Sequence, residues 1–266
     1  MSTQPIEIVV TDLDGTLWAR EGEVTSETRV ALVELERRGV HVVAATGRRL
    51  RSARLALVRA GLSHLPCVGL NGALAVDAGD VFHSATFTAG DARTVFDHFV
   101  AGGIVPVGYV VPGRDDEGVD AVAPEGVSTH PDHLAVLGPT LSTDPIDFAV
   151  MVAFSVLGLP YDALDPVRVM IEHEQTADCV LSRERNYGDY NLAVTARGVS
   201  KWTGVLAYCA RHGIDPDRVL AIGDDDNDVA MLTTARVGLA MRHASTSAAG
   251  AADAIVDDWS ALLDYL

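Results

Sequence analysis

Residues 6–11 (IEIVVT) are apolar and β-branched on both faces, the pattern of a strand buried inside a parallel sheet. From Thr25 to Arg38 the apolar positions recur at helical spacing and stop at Gly39. The alternation repeats in a strand at 40–45 (VHVVAA), a basic helix from Arg48 to about Ala60 closed by Gly61, and a strand at 66–70 (PCVGL), which completes βαβαβ. After Gly198 it resumes with a helix from Val199 to His212, a strand at 218–222 (RVLAI), a helix at 225–234, a strand at 236–240 (RVGLA) and a helix from Ala244 to Ala252. Strands alternating with helices predict an α/β fold with a doubly wound, Rossmann-like parallel-sheet core.

Between about 77 and 195 the texture changes. Strand-like runs at 147–157 (DFAVMVAFSVL) and 188–194 alternate with helix-like segments at 90–101 and 161–172, and 112–118 (PGRDDEG) reads as an exposed turn. The parallel-sheet pattern stops before this stretch and restarts after it. The expected organisation is therefore a core formed by 1–76 and 196–266 with an inserted α+β unit at 77–195, rather than two domains in tandem. No repeat of 20–50 residues and no low-complexity tract interrupts it.

A chain of 266 residues suffices for one large domain or two moderate ones, and 48% hydrophobic with 21% charged residues is an ordinary globular mix that excludes disordered, collagen-like and coiled-coil classes. The net charge of −17 repels phosphate backbones and anionic headgroups, so neither nucleic acid nor membrane is an expected partner. An anionic substrate would need a positive group brought to its site, and a bound cation supplies one. Cys67, Cys179 and Cys209 form no CxxC pair and are odd in number, which indicates neither a disulfide framework nor a zinc site and fits a reducing cytoplasm. The first residues carry no basic region, and the longest apolar stretch, Phe148 to Leu159, is too short to span a bilayer.

The candidate chemistry lies where strands end. The first strand runs into Asp12-Leu13-Asp14-Gly15-Thr16, two carboxylates at the edge where open α/β sheets bind ligands. Carboxylates so close repel unless a cation or a shared proton relieves them, which points to a hard metal and divided roles, although Asp and Gly also favour a plain turn there. The second strand ends in Thr46-Gly47-Arg48, a hydroxyl and backbone N–H groups suited to an anion, or an ordinary helix cap. A third strand ends in Gly223-Asp224-Asp225-Asp226-Asn227-Asp228, whose four carboxylates in five positions exceed what one cap requires. Lys201, at a helix start after Gly198-Val199-Ser200, would offset such a cluster and hold a phosphoryl oxygen, although a lysine there is usually solvated.

Taken together, VVTDLDGTL (9–17), AATGR (44–48), GVSK (198–201) and GDDDNDVAML (223–232) resemble the haloacid dehalogenase superfamily of phosphatases. The long insertion, with Asn71-Gly72-Ala73 ahead of it and YNLAVTARGVSK (190–201) at its exit, resembles the Cof-type branch, which carries an α+β cap in that place. The resemblance implies a Mg²⁺-dependent hydrolysis of a small phosphorylated metabolite, a sugar phosphate being the leading class. It makes Asp12 the nucleophile that forms an aspartyl-phosphate and Asp14 the proton donor and then acceptor. Mg²⁺ would be held by Asp12, the Asp14 carbonyl and Asp224 with Asp228 in support; Thr46, Gly47, Arg48, Asn71 and Lys201 would bind phosphate, and Asn227 would brace the loop. Asp225 and Asp226 stand where a single acid is more usual, and neither is assigned a role.

Specificity is expected in the insertion, hinged near Val76–Asp80 and Leu192–Arg197, with Arg183, Arg185 and Tyr187 as candidates for a second anionic or sugar group. His41, His173 and His212 show no metal-ligand spacing. Two alternatives remain. A sugar phosphomutase would use the same acids and is told apart by its product. A phospho-accepting signalling domain would gather similar residues at a sheet edge, but needs about half this length and neither the DLDGT loop nor the insertion.

Overall fold

The computed structural model describes residues 5–112, 118–183 and 187–266, apart from the side chain of Pro139. The chain divides into two compact units, Met1–His83 with Ser200–Leu266, and Ser84–Val199. The first unit opens with β1 (Ile8–Thr11), α1 (Ser26–Arg37), β2 (His41–Ala45), α2 (Leu50–Arg59), β3 (Cys67–Gly69), β4 (Leu74–Asp77) and β5 (Asp80–Ser84). The second unit holds α3 (Ala89–Ala101), β6 (Val107–Val110), β7 (Ala121–Val122), α4 (Pro131–Leu137), β8 (Leu141–Ser142), β9 (Met151–Leu159), α5 (Tyr161–Glu174), β10 (Ala177–Arg183) and β11 (Tyr190–Ala196). The first unit resumes with α6 (Lys201–His212), β12 (Val219–Gly223), α7 (Val229–Thr234), β13 (Val237–Met241), α8 (Thr246–Ala251) and β14 (Ala254–Val256).

The first unit is built on an eight-stranded sheet in the order β14-β13-β12-β1-β2-β3-β4-β5. Its strands are parallel from β14 to β3, and β4 turns back antiparallel on β3. Ile8, Val10, Val43, Val68 and Ala221 pack beneath Trp202, Val205 and Tyr208 of α6, so the strands that read as apolar throughout are buried on both sides. Thr25 caps α1 by accepting from Thr28 N at 3.1 Å, and a reciprocal Ser200–Thr203 capping box opens α6. Because β1 lies between β2 and β12, with Thr11 level with Ala44 and Ile222, the loops 12–16, 46–49 and 224–228 emerge side by side.

The structure differs from the sequence expectations in three local places. The parallel sheet continues into an antiparallel edge, where β4 and β5 are joined through Ala78 and Gly79 at φ 49° and 89°. The second helix starts at Leu50, with Arg49 as its cap residue, rather than at Arg48. The segment expected as one helix at 225–234 is a 3₁₀ turn, Asp226–Asp228, followed by α7. The turn expected at 112–118 falls mostly outside the described residues.

The second unit is an α+β layer. Its six-stranded sheet runs β10-β11-β9-β6-β7-β8, and Phe99 of α3 with Leu164, Val167 and Ile171 of α5 packs on Phe154, Val156, Leu192 and Val194. Among the described residues, no helix is long and apolar enough to cross a membrane.

Candidate active site

Asp12 follows β1 directly, its N–H bonded to Ile222 O at 3.0 Å, so sheet pairing fixes where its carboxylate emerges. Lys201, the first residue of α6, is completely buried, and its Nζ donates to Asp12 Oδ1 and Asp228 Oδ1, each at 2.6 Å. The solvated surface that most lysines at helix starts occupy is not this one's place. Burial alone would pull the ammonium down, but the two carboxylates more than offset it and leave Lys201 above its ordinary value. Burial pushes the Asp12 carboxyl well above the usual carboxylate range; Lys201 pulls it back, and Asp228 and Asp224 push it up again.

Asp228 is held from both sides. Its Oδ2 accepts from the N–H groups of Asp224 at 2.9 Å and Asp225 at 3.0 Å while Oδ1 meets Lys201. It lies so close under β12 that a Cβ on Gly223 would fall 2.5 Å from its Cγ, which is why that strand must end in glycine. Asp224 Oδ1 accepts from Thr16 Oγ1 at 2.7 Å, and its backbone carbonyl accepts from Ser245 N at 2.8 Å. One carboxylate oxygen each from Asp12, Asp224 and Asp228 lies within 4.8 Å of the others.

The adjoining acids, left without roles by the sequence, turn elsewhere. Asp225 caps the 3₁₀ turn by accepting from Asp226 N at 2.8 Å, and Asp226 accepts from Ser245 Oγ at 2.6 Å. His243 stands on the other side of Asp224, Nε2 to Oδ2 3.7 Å.

Thr46 is buried, and its hydroxyl accepts from Arg48 N at 3.2 Å in a turn ahead of α2 rather than as the helix cap. Gly47 leaves no room for a side chain, since a Cβ there would stand 3.0 Å from Asn71 Oδ1 and 3.2 Å from Asn227 Nδ2. Those two amides are themselves bonded at 2.9 Å. Leu70 and Asn71 both adopt left-handed backbone, φ 49° and 53°, which costs of order 1 kcal/mol each and aims Asn71 at this junction. Gly72 follows at φ 105°, where a Cβ would meet Ser200 O at 1.8 Å, so the loop can pass the start of α6 only as glycine.

Arg48 is paired with two carboxylates. Its Nε and Nη2 fork onto Asp14 at 2.5 and 2.6 Å, and its Nη1 reaches Glu21 at 2.5 Å. These carboxylates outweigh burial and hold Arg48 above its ordinary value. Trp18 Nε1 also donates to Asp14, at 3.0 Å. In the second unit the Arg183 guanidinium lies over the Tyr190 ring at 5.4 Å, Tyr187 stacks on His130 at 5.3 Å, and Arg185 lies outside the described residues.

The structure therefore gathers Asp12, Lys201, Asp224 and Asp228 around one point, sets Asn71, Gly47 and Asn227 together beside Thr46, and pairs Asp14 with Arg48. Sequence reasoning missed Trp18, Glu21, His243 and Ser245. Trp18 and Glu21 follow closely on DLDGT, a proximity that could have drawn attention; His243 and Ser245 carried no signal.

Comparison with known proteins gives a consistent match. The family model described as haloacid dehalogenase-like hydrolase matches residues 9–116 and 156–261. The phosphoglycolate phosphatase of Methanopyrus kandleri is 26% identical, over 94% of this chain and 90% of that protein. The 5-amino-6-(5-phospho-D-ribitylamino)uracil phosphatase YcsE of Bacillus subtilis is 26% identical, over 95% of this chain and 90% of that one. Among solved structures, a haloacid dehalogenase-like hydrolase from B. subtilis superposes with TM-score 0.77 at 19% identity, covering 98% of this chain and 100% of that one. The subclass IIB sugar phosphatase BT4131 gives TM-score 0.72 at 19% identity, covering 97% and 98%.

Proposed function

The chain belongs to the haloacid dehalogenase-like hydrolases and is a phosphatase, and from that premise we propose that it hydrolyses a small phosphate monoester through a phosphoryl group carried on Asp12. The observation that carries the reading is the buried Asp12–Lys201–Asp228 array beside Asp224, three carboxylates answered by one ammonium. Hard oxygen donors at this spacing fit a divalent cation of the Mg²⁺ type, and the imbalance of charge favours one. Asp12 and Asp224 would hold it, with the Asp14 backbone carbonyl, while Asp228 anchors the loop and Lys201. Such a cation supplies charge neutralisation on the phosphoryl oxygens.

The chain's own residues account for the remaining chemistry. Lys201 fixes one oxygen of Asp12 and lies where it can bind a phosphoryl oxygen, and Thr46 with the Gly47 region supplies further donors. Asp12 forms a bond to phosphorus as the bond to the leaving oxygen breaks, and Asp14, which must enter this step protonated and with one oxygen freed from Arg48, gives that oxygen its proton. Asp14 then takes a proton from the attacking water, the phosphorus–Asp12 bond breaks, and inorganic phosphate departs with Asp12 restored.

The curated relatives are named for phosphoglycolate and for a ribityl phosphate, both small phosphorylated compounds, which supports a metabolite substrate of that size. Selection among such compounds we place in the 77–195 insertion. A screen of phosphate release over phosphorylated sugars, sugar alcohols and hydroxy acids, with and without Mg²⁺, tests the proposal. Metal-dependent release from at least one class is expected. Isomerised sugar phosphate without free phosphate would assign a mutase instead, and no turnover of any monoester would overturn the reading.

A further inference from the structure

The direction in which the Asp12 side chain leaves the backbone is set by the two peptide planes that flank it. The plane before Asp12 belongs to the sheet, since its N–H donates to Ile222 O at 3.0 Å. The plane after it lies beyond β1 and starts the loop, and its carbonyl accepts from Leu17 N at a long 3.3 Å. A shorter bond reaches the same carbonyl from Thr11 Oγ1, which donates to Asp12 O at 2.7 Å.

The Thr11 hydroxyl is itself directed. Trp259 Nε1, 248 residues away in sequence, donates to Thr11 Oγ1 at 2.9 Å, and both side chains are buried. An indole N–H can only donate, so Oγ1 must accept there, and its one proton turns to the Asp12 carbonyl. A backbone carbonyl would satisfy the indole equally well; a hydroxyl passes the bond on to the next residue. The two bonds run in the same sense from donor to acceptor, so each strengthens the other. Trp259 opens a 3₁₀ helix, Trp259–Tyr265, and Asp258 caps it by accepting from Ser260 N at 2.9 Å. Positions three apart eclipse in such a helix, so Leu262 is buried on the same face and anchors the segment that carries the indole.

We propose that Trp259 is a positioning residue for the nucleophile: its indole N–H sets the Thr11 hydroxyl, and that hydroxyl sets the peptide plane after Asp12. The proposal rests on the reading of Asp12 as the group that accepts the phosphoryl. In-line attack tolerates little misplacement, and an error of about 1 Å can cost a hundredfold in rate. Loss of either bond should therefore slow transfer to Asp12, the step that kcat/KM reports.

The test uses the full chain, whose three tryptophans give three indole N–H proton resonances; Trp259→Phe identifies the one it removes. In Thr11→Val, which keeps the side chain's shape without the hydroxyl, the Trp259 resonance should move upfield, and in Thr11→Ser it should stay, with or without metal. With Mg²⁺ and p-nitrophenyl phosphate, kcat/KM should fall about tenfold or more in Thr11→Val and in Trp259→Phe, stay near wild type in Thr11→Ser, and fall no further in the double variant. Leu262→Ala, which loosens the same helix and lowers Tm without touching either bond, should keep kcat/KM within about twofold of wild type. Trp259→Phe, which retains Thr11, carries the kinetic test by itself should Thr11→Val not fold. A Trp259 resonance unmoved in Thr11→Val, kcat/KM unchanged in Trp259→Phe, losses that multiply in the double variant, or an equal loss in Leu262→Ala overturns the proposal. A phosphoryl group carried by a residue other than Asp12 in the wild type would instead remove the reading of the nucleophile, and the proposal with it.

Discussion

Replacing Lys201 by Met removes the one ammonium in contact with both Asp12 and Asp228 while keeping a flexible side chain of similar length. Because Nζ is fully buried and bonded to both at 2.6 Å, the substitution leaves two carboxylates in the interior without their cation. Breaking a buried ion pair from one side costs about 3–5 kcal/mol. The first unit contains roughly 150 residues, for which each kcal/mol moves Tm by about 2–4 °C, so the expected fall is about 6–20 °C in the absence of divalent metal. Mg²⁺ should recover part of it by supplying positive charge to the same carboxylates, without restoring turnover. Adding Asp12→Asn should make the double variant more stable than Lys201→Met alone, since one orphaned charge is gone. The assay is thermal unfolding of the three proteins in EDTA and in Mg²⁺, with phosphate release measured alongside. A Lys201→Met protein within about 2 °C of wild type in EDTA, or a double variant less stable than the single, would refute the electrostatic account of the site.

EDTA should abolish hydrolysis and Mg²⁺ restore it, with Ca²⁺ a poor substitute because its longer, looser coordination misplaces the phosphoryl group; full activity in chelator would contradict the scheme. The rise in Tm produced by Mg²⁺ should grow as the pH is raised above the ordinary carboxylate range. Asp12 is held above its ordinary value in the metal-free fold, so that fold keeps a proton the unfolded chain has lost, and stability falls as pH rises through the interval between the two values. A cation that takes the proton's place gains in effect over the same interval, and an increment that shrinks with rising pH would show the sign to be wrong. Gly223→Ala should lower Tm by a few degrees and activity by more than tenfold, because the added carbon falls 2.5 Å from Asp228 Cγ and must displace it; wild-type activity would contradict the role given to Asp228.

The central strands were legible because parallel strands covered on both faces read as unbroken β-branched runs, as 6–11 and 40–45 do. The β4–β5 edge was not, since its turn is Ala78-Gly79 rather than an Asn-Gly or Asp-Gly pair and β5 is half exposed. Strands of two residues such as β7 and β8 are too short to carry any period. In the site, strand ends placed Asp12, Thr46 and Asp224 correctly at one edge, but no local signal says that Lys201 is buried, that Asp225 and Asp226 face away, or that Arg48 grips a carboxylate 34 residues earlier. Those facts arise from packing between elements distant in sequence. The structure adds that Arg48, expected among the phosphate-binding residues, pairs with Asp14.

The central claim, that Asp12 carries the phosphoryl group during turnover, is tested most directly by acid-quenching the Mg²⁺-loaded enzyme during hydrolysis of p-nitrophenyl phosphate and weighing its peptides. The peptide containing Asp12 should gain the mass of one phosphoryl group. That gain should grow in Asp14→Asn, where no base assists the water, and vanish in Asp12→Asn together with turnover. An Asp12→Asn enzyme that still releases phosphate at the wild-type rate, or a phosphoryl mass carried on a different residue, would contradict the account.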